Sequence, residues 1–174
     1  MKTLAELFEH TLQDIYYAEN ALVKALPKMA KAVKDAKLKQ AFEEHLVETR
    51  SQIATLKKVF ASVGLQAVGQ KCDAIEGLIK ETEGLVDEAE GTALNAGVLA
   101  AAQAVEHYEI ARYGSLREWA KVLGHDEAHT LLSEILDQEK AANSKLTNLA
   151  VDGVNCAPSA KTTREVRPAR PSAA

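Results

Sequence analysis

The stretch LNAGVLAAAQAVEHYEIARYG, residues 94–114, is the most informative part of the chain. Its first half is so rich in Ala, Leu and Val that a helix there must be buried on nearly every side. Glu106, His107 and Glu109 nevertheless lie in the middle of this helix. An ionised carboxylate in apolar surroundings costs several kcal/mol unless it is paired, neutralised or bound to a metal. The helix therefore requires a partner for its acidic residues.

The bulk composition is typical of one helical domain. The chain has 174 residues, of which 47% are hydrophobic, 26% charged and only 5% aromatic, and this balance favours helix over sheet. A net charge of −4 excludes a broad basic surface for nucleic acid. The start, MKTLAELFEH, is charged and amphipathic, unlike a signal peptide. Asn95 and Gln103 interrupt the longest apolar run, which argues against a membrane span. With only Cys72 and Cys156 as cysteines, we expect a cytoplasmic location.

Hydrophobic periodicity predicts four long helices. They cover about 4–33, 36–63, 92–123 and 126–151. A capping box of Thr3 and Glu6 marks the start of the first helix, while Gly64 and Gly124 end the second and third. Pro27 is expected to kink the first helix or end it early.

The connections between these helices predict how they pack. Short loops make the first two helices one antiparallel hairpin and the last two another. The long segment 65–91 can cross the bundle, and DAIE at 73–76 begins an additional short helix within it. The pattern predicts an all-α, ferritin-like four-helix bundle over residues 1–155, with an up-down bundle carrying a decorated loop as the alternative.

The last residues differ from the bundle. Residues 156–174 are basic, rich in proline and without periodicity, which predicts a flexible tail. A weak anion or nucleic-acid contact through its lysine and arginines is the alternative.

Glu19, Glu48, Glu106 and Glu139 interrupt the inward stripes of the four long helices. Each lies close to the midpoint of its helix, so parallel or antiparallel packing brings all four to one level of the core. Converging carboxylates repel each other strongly in a low-dielectric interior. Two divalent cations bridged by them would relieve this repulsion. Alternatively, the side chains rotate outward or pair with basic residues, for which Lys24, Arg50 and Arg112 are candidates.

Other residues near this level are weaker candidates. His45 lies one turn before Glu48 and is either a nitrogen ligand or a hydrogen-bonded core residue. Glu109 lies one turn after Glu106 and either ligates or pairs with Arg112. His107 points elsewhere on the helix. Tyr16, Tyr108 and Tyr113 flank the level and are expected to pack, with a redox or hydrogen-bonding role as the alternative.

Five segments give the chain a family resemblance. They are LQDIYYAENAL, FEEHLVETRSQI, KCDAIEGLI, AAAQAVEHYEIARYGSL and LDQEKAANSKLTNLA. Over roughly residues 2–155 the chain resembles the YciF/YciE-type bacterial stress proteins, a ferritin-like family related in architecture to rubrerythrin. The resemblance implies a bundle with an additional helix, a homodimer, and a role in the response to osmotic or similar stress. It does not supply a settled activity.

The ferritin-like metal motif sharpens the prediction for the site. It places one Glu on each of two helices and Glu-x-x-His on each of the other two. Glu19 and Glu106 match the single glutamates, and Glu48 and Glu139 match the glutamates of the longer motifs. Ser51 and Ala142 stand where the histidines would be. The remaining ligands are dominated by oxygen, which suits Fe(II) or Mn(II) in a centre of one or two ions. No organic cofactor is expected.

Three functions fit this pattern. The first is a dinuclear oxidoreductase acting on peroxide or oxygen. The second is metal binding or iron sequestration without turnover. The third is a structural stress protein, with a vestigial site, that acts through dimerisation or partner binding; the small residues of GVLAAA at 97–102 would permit close approach of a second subunit.

Overall fold

The computed structural model describes residues 1–155 as a bundle of five helices. They are α1 (Leu4–Ala32), α2 (Ala36–Ser62), α3 (Asp73–Glu88), α4 (Gly91–Val122) and α5 (Asp126–Leu149), with a π-helical turn at Ala150–Val154. The predicted boundaries of the long helices agree within two residues. The predicted flexible tail, 156–174, lies outside the described residues.

The four long helices form a closed ring. Helix α1 packs against α2, α2 against α5, α5 against α4, and α4 against α1. Helix α3 lies across the outside of α4 and α1. Two hairpins joined by a long crossover are the connectivity of ferritin-like bundles, so the predicted fold class is confirmed.

The crossover lies tightly against α1. The backbone N–H of Gln70 donates to the Gln13 carbonyl at 3.1 Å. A Cβ at Gly69 would lie only 3.3 Å from the Tyr17 Cα. This close approach is easiest for a residue without a side chain, and it leads the chain directly to the start of α3.

Helix ends follow the sequence signals with one exception. Thr3 and Glu6 form the predicted capping box, and the Asp35 carboxylate accepts from the Leu38 N–H at 2.9 Å. Pro27 does not end α1, which continues to Ala32. Proline removes one backbone donor, but the apolar face of α1 remains buried on both sides of it, at Leu26 and Met29.

The core consists of apolar layers above and below a polar level. Leu12, Ile15 and Leu132 on one side of that level, and Leu38 on the other, are fully buried. None of the helices over residues 1–155 is long and apolar enough to cross a membrane.

Candidate metal centre

The second hairpin supplies most of the buried acid. Glu106 and Glu109 lie one turn apart on α4, and Glu139 projects from α5. Their exposed fractions are 3%, 0% and 0%. Three carboxylates are thus removed from water at the middle of the bundle, where burial of an unpaired charge is most costly.

An imidazole from the first hairpin completes a compact group. His45, Glu106, Glu109 and Glu139 each offer one ligand atom, and these four atoms lie within 4.8 Å of one another. His45 Nε2 lies 3.3 Å from Glu106 Oε1. One nitrogen and several carboxylate oxygens converging in this way form a donor set suited to a hard or borderline divalent cation.

Glu19 lies beside this group rather than in it. It is fully buried, and one of its oxygens accepts a hydrogen bond from the Tyr113 hydroxyl. Its charge still acts on Glu109, whose pKa it helps to raise. Glu19 is therefore placed to join a second ion or to support the ligands of the first.

Glu48 differs from the other predicted ligands because it is partly solvated. Its side chain is 36% exposed, and its Oε2 lies 3.6 Å from His45 Nδ1. The predicted convergence thus holds for the three glutamates of α1, α4 and α5, whereas Glu48 lies at the edge and reaches the group through His45.

Buried oxygens without a hydrogen-bond partner mark the centre. They are Glu19 Oε2, Glu106 Oε2, both oxygens of Glu109 and both oxygens of Glu139. His45 Nδ1 also lacks a hydrogen-bond partner. Buried polar groups in folded proteins are nearly always satisfied, so such a concentration needs an explanation. Ligation of a cation would satisfy these atoms together.

Burial and mutual repulsion also raise the pKa values of the clustered glutamates. Burial raises the pKa of Glu19 to about 7, although the hydrogen bond from Tyr113 acts in the opposite direction. Burial and then repulsion by neighbouring carboxylates raise the pKa values of Glu109 and Glu139 well above the ordinary range. For Glu106, burial raises the pKa and the charge of His45 partly offsets it. Without a cation, the cluster strongly favours protons.

The pKa of His45 is also displaced. Burial alone would lower it, but the Glu48 carboxylate next to the ring and the charges of Glu106 and Glu19 raise it above the ordinary value. The imidazole is therefore the main internal counter-charge of the acidic group, and it can neutralise only part of it.

The basic residues named as alternative partners lie elsewhere. Lys24 and Arg50 are exposed, and the Arg112 guanidinium lies 3.8 Å from Asp14 rather than next to Glu109. Within residues 1–155, no lysine or arginine forms an ion pair with Glu19, Glu106, Glu109 or Glu139. Pairing with these residues therefore does not account for the buried acids.

The flanking aromatic residues and His107 divide into two groups. Tyr113 contacts the site directly through Glu19. Tyr108 faces the crossover, where its hydroxyl lies 2.9 Å from the Cys72 thiol and 3.0 Å from Asp14. Tyr16 packs edge-on against Phe60. His107 is exposed and lies 2.7 Å from the carbonyl of Gln103, so it does not reach the cluster, as predicted.

A cavity adjoins the site on the side of His45. It has a volume of about 190 Å³, and His45, Glu48 and Glu106 line it together with apolar side chains. Ala142 also lines this cavity, whereas Ser51 is exposed. The two positions that lack the motif histidines are therefore not equivalent: one faces empty space beside the centre and the other faces solvent.

Comparison with known proteins agrees with this fold. The family described as "Domain of unknown function (DUF892)" matches residues 3–157. The chain belongs to this family.

The relatives of this DUF892 family member include a bacterial stress protein. Protein YciF of Escherichia coli strain K12 is 46% identical over 157 residues, which cover 89% of this chain and 95% of YciF. The crystal structure of that stress protein matches with a TM-score of 0.86 over 89% of this chain and 99% of its own. YcfI of Rhodopseudomonas palustris, described as a candidate structural protein, is 49% identical with a TM-score of 0.81 over 84% and 94% of the two chains. A protein from Xanthomonas campestris, 22% identical with a TM-score of 0.68 over 88% and 95%, shares the fold.

Two features of the site were not predicted from the sequence. The contact of Tyr113 with Glu19 was not predicted, although Tyr113 follows Glu109 by four residues and so lies on the same face of α4. The cavity has no sequence signal of its own, because it results from small residues on facing helices rather than from one motif.

Proposed function

We propose that the bundle core holds one or two divalent cations, iron or manganese. His45, Glu106, Glu109 and Glu139 would be the principal ligands, with Glu19 and Glu48 completing the set. The observation that supports this most is the six buried carboxylate oxygens without a hydrogen-bond partner: one each from Glu19 and Glu106, and two each from Glu109 and Glu139.

We propose further that the centre acts on peroxide or oxygen in a stress response. Held by these residues, a pair of such ions would supply Lewis acidity and two electrons to an O–O bond, and repeated turnover would require an external two-electron reductant. The protein buries Glu19, Glu106, Glu109 and Glu139 away from water and holds Glu19 in place through the Tyr113 hydroxyl. The likeness to a stress protein supports the biological setting.

Elemental analysis tests the metal centre. Freshly purified protein, and chelator-treated protein titrated with Mn(II) or Fe(II), should hold one or two ions per chain. The Glu106→Ala variant should hold markedly less, while the matched Glu134→Ala variant, altered at an exposed position of α5, should bind as the wild type does. Wild-type protein that takes up no ion at saturating metal contradicts the proposal.

Peroxide consumption tests the activity separately. The metal-loaded wild type and Glu134→Ala should consume peroxide at equal rates, and Glu106→Ala should be slower. Metal-loaded protein that keeps its metal but leaves peroxide and oxygen untouched rules out the activity and leaves metal binding intact.

A structural role in a cytoplasmic homodimer is the second candidate, favoured by the description of YcfI, which is 49% identical. It predicts that replacing Glu19, Glu48, Glu106 and Glu139 together with glutamine leaves folding and self-association intact in metal-containing buffer. Marked loss of stability in that buffer would instead favour a metal that contributes to the fold.

A further inference from the structure

The cavity beside the metal centre has an ordered distribution of polar and apolar groups. On α1 its lining runs from Leu22 to Met29, on α2 from Glu48 back to Ala41, and on α4 from Glu106 back to Ala102. On α5 it continues past Glu139, from Ala141 to Leu146. On each of these four helices the lining therefore extends from the carboxylate level toward the α1–α2 connection. The cavity thus has a polar inner end at the centre, and the walls between that end and its mouth are apolar.

The opening lies between α2 and α5. Glu44 and Lys145, which line the cavity there, are exposed and form an ion pair across the gap. Ala141 is also exposed, and Ala142 is half-buried. The ion pair leaves little net charge at the mouth, and the alanines leave room for a molecule to enter.

We propose that this cavity binds the alkyl chain of a small uncharged organic molecule, with its oxygen-bearing end directed at His45 and Glu106. The apolar walls match a hydrocarbon, and Glu106 Oε2 and His45 Nδ1 at the inner end have no hydrogen-bond partner. An anionic head group would meet Glu48 and Glu106. A cationic head group would compete with His45, which already faces both carboxylates.

The volume sets the size of the ligand. An apolar cavity of about 150 Å³ accommodates the six carbons of benzene. By this measure a cavity of about 190 Å³ accommodates a chain of roughly six to eight carbons. Binding of the ligand's alkyl chain does not require a metal. Reaction at the oxygen-bearing end rests on the proposed metal centre, whose substrates would then be organic peroxides or other short oxygenated alkyl compounds.

Calorimetric titration with straight-chain alcohols tests the binding in chelator-treated full-length protein. Affinity should rise about fourfold per added carbon from 1-butanol to 1-hexanol, because each methylene leaves water. The rise should stop near 1-octanol. Octanoate and octylamine should each bind more weakly than 1-octanol. Absence of a rise with chain length, or tighter binding of either charged compound, overturns the proposal.

A variant that fills the cavity locates the binding. Ala142→Leu should weaken 1-octanol binding at least about tenfold, since the three added carbons of the leucine side chain take the space of two or more methylenes. The control Ala111→Leu, at an exposed position of α4, should bind as the wild type does. If Ala142→Leu does not fold, Ala141→Leu at the edge of the same cavity replaces it. Equal binding by wild type and a folded cavity-filled variant overturns the assignment.

Nuclear Overhauser contacts give an independent readout. Protons of bound 1-octanol should contact the Met29 methyl group and the Phe42 ring, which line the apolar part. Contacts only with residues outside the cavity overturn the proposal. Because these measurements use metal-free protein, failure of the cavity proposal and failure of the metal centre are distinguishable.

Discussion

The two hairpins of the bundle contribute to the centre in different ways. The α4–α5 hairpin provides three buried carboxylates, Glu106, Glu109 and Glu139, at exposed fractions of 3% or less. The α1–α2 hairpin provides one buried carboxylate, Glu19, together with His45 and the partly exposed Glu48. The hydroxyl that supports Glu19 comes from Tyr113 of α4.

This difference shows that the site is not a symmetric box of four acids. The second hairpin contributes three buried acids, whereas the first contributes two acids, one of them partly exposed, and the imidazole of His45. Attraction between His45 and Glu106 therefore joins the hairpins even without a metal, while repulsion among Glu106, Glu109 and Glu139 opposes the closed core. A bound cation would convert that repulsion into ligation.

The largest expected effect is the pH dependence of the metal-free protein. The pKa of Glu19 is raised from 4.5 to about 7, so the folded state binds the proton more tightly than the unfolded state. This stabilisation is fully present below pH 4.5 and is lost as the pH rises through about 7, on the order of 3 kcal/mol for Glu19 alone. Glu109, Glu139 and His45 shift in the same direction.

Urea denaturation between pH 5 and pH 8 measures this dependence. We expect the free energy of unfolding to fall with rising pH in the presence of chelator, and the fall to shrink when Mn(II) saturates the site. Stability of the metal-free protein that increases over this range would contradict the electrostatic account of the buried acids.

The next largest effect is on Mn(II) affinity, when one acid from each hairpin is replaced by glutamine. Glu139→Gln removes a fully buried carboxylate, whereas Glu48→Gln alters a side chain that is 36% exposed. Loss of even an outer partner of a metal ligand costs roughly 10–100-fold in affinity. We therefore expect Glu139→Gln to weaken Mn(II) binding about 100-fold or more, and Glu48→Gln, which removes the carboxylate beside the ligand His45, only about tenfold.

Competition with a chromophoric chelator provides the affinities. Equal losses in the two glutamine variants would show that both hairpins ligate equally, and the asymmetry described above would then not extend to the metal-bound state.

The link between the hairpins through Tyr113 gives a smaller effect. Tyr113→Phe removes the donor to Glu19, and a hydrogen bond to a charged group contributes about 1.5–3 kcal/mol. We expect a loss of about 2 kcal/mol in thermal or urea unfolding at pH 8. The control is Tyr108→Phe, whose half-buried hydroxyl contacts Asp14 and Cys72 away from the centre. A cost for Tyr113→Phe no greater than that of the control would argue against the link.

The smallest effect concerns how the helices begin. Thr3 and Asp35 cap the helices of the first hairpin with side-chain oxygens, while Glu90 and His125 make no side-chain cap in the second. We expect Asp35→Ala to cost about 1 kcal/mol. Glu90→Ala should change the free energy of unfolding by less than about 0.5 kcal/mol. Similar costs in urea unfolding would show that the second hairpin has an equivalent stabilisation at its helix starts.

Much of the site could be predicted because two independent features of the sequence indicate the same glutamates. Each lies at the middle of its helix, and each lies on the inward-facing stripe. Glu19, Glu106 and Glu139 are buried and His107 is exposed, as expected, while metal binding by the three glutamates stays a prediction. Glu48 was only partly predictable. Three residues advance a helix by about 300°, so Glu48 is displaced by about 60° around α2 from His45. A rotation of that size separates an inward position from the edge of the bundle, and periodicity does not resolve it.

The amino-acid sequence alone was sufficient to predict the five helices, the two hairpins, the crossover and the presence of acidic residues in the core. These follow from local physics: apolar spacing, capping side chains, glycines at helix ends and loop lengths act within a few residues of the chain. Which acids meet, which one reaches water, where Arg112 finds its partner, and whether Ala142 faces a cavity were decided only by packing. Those outcomes depend on the rotation of four helices about their axes and on side chains far apart in sequence. The short-range pattern carries no information about either.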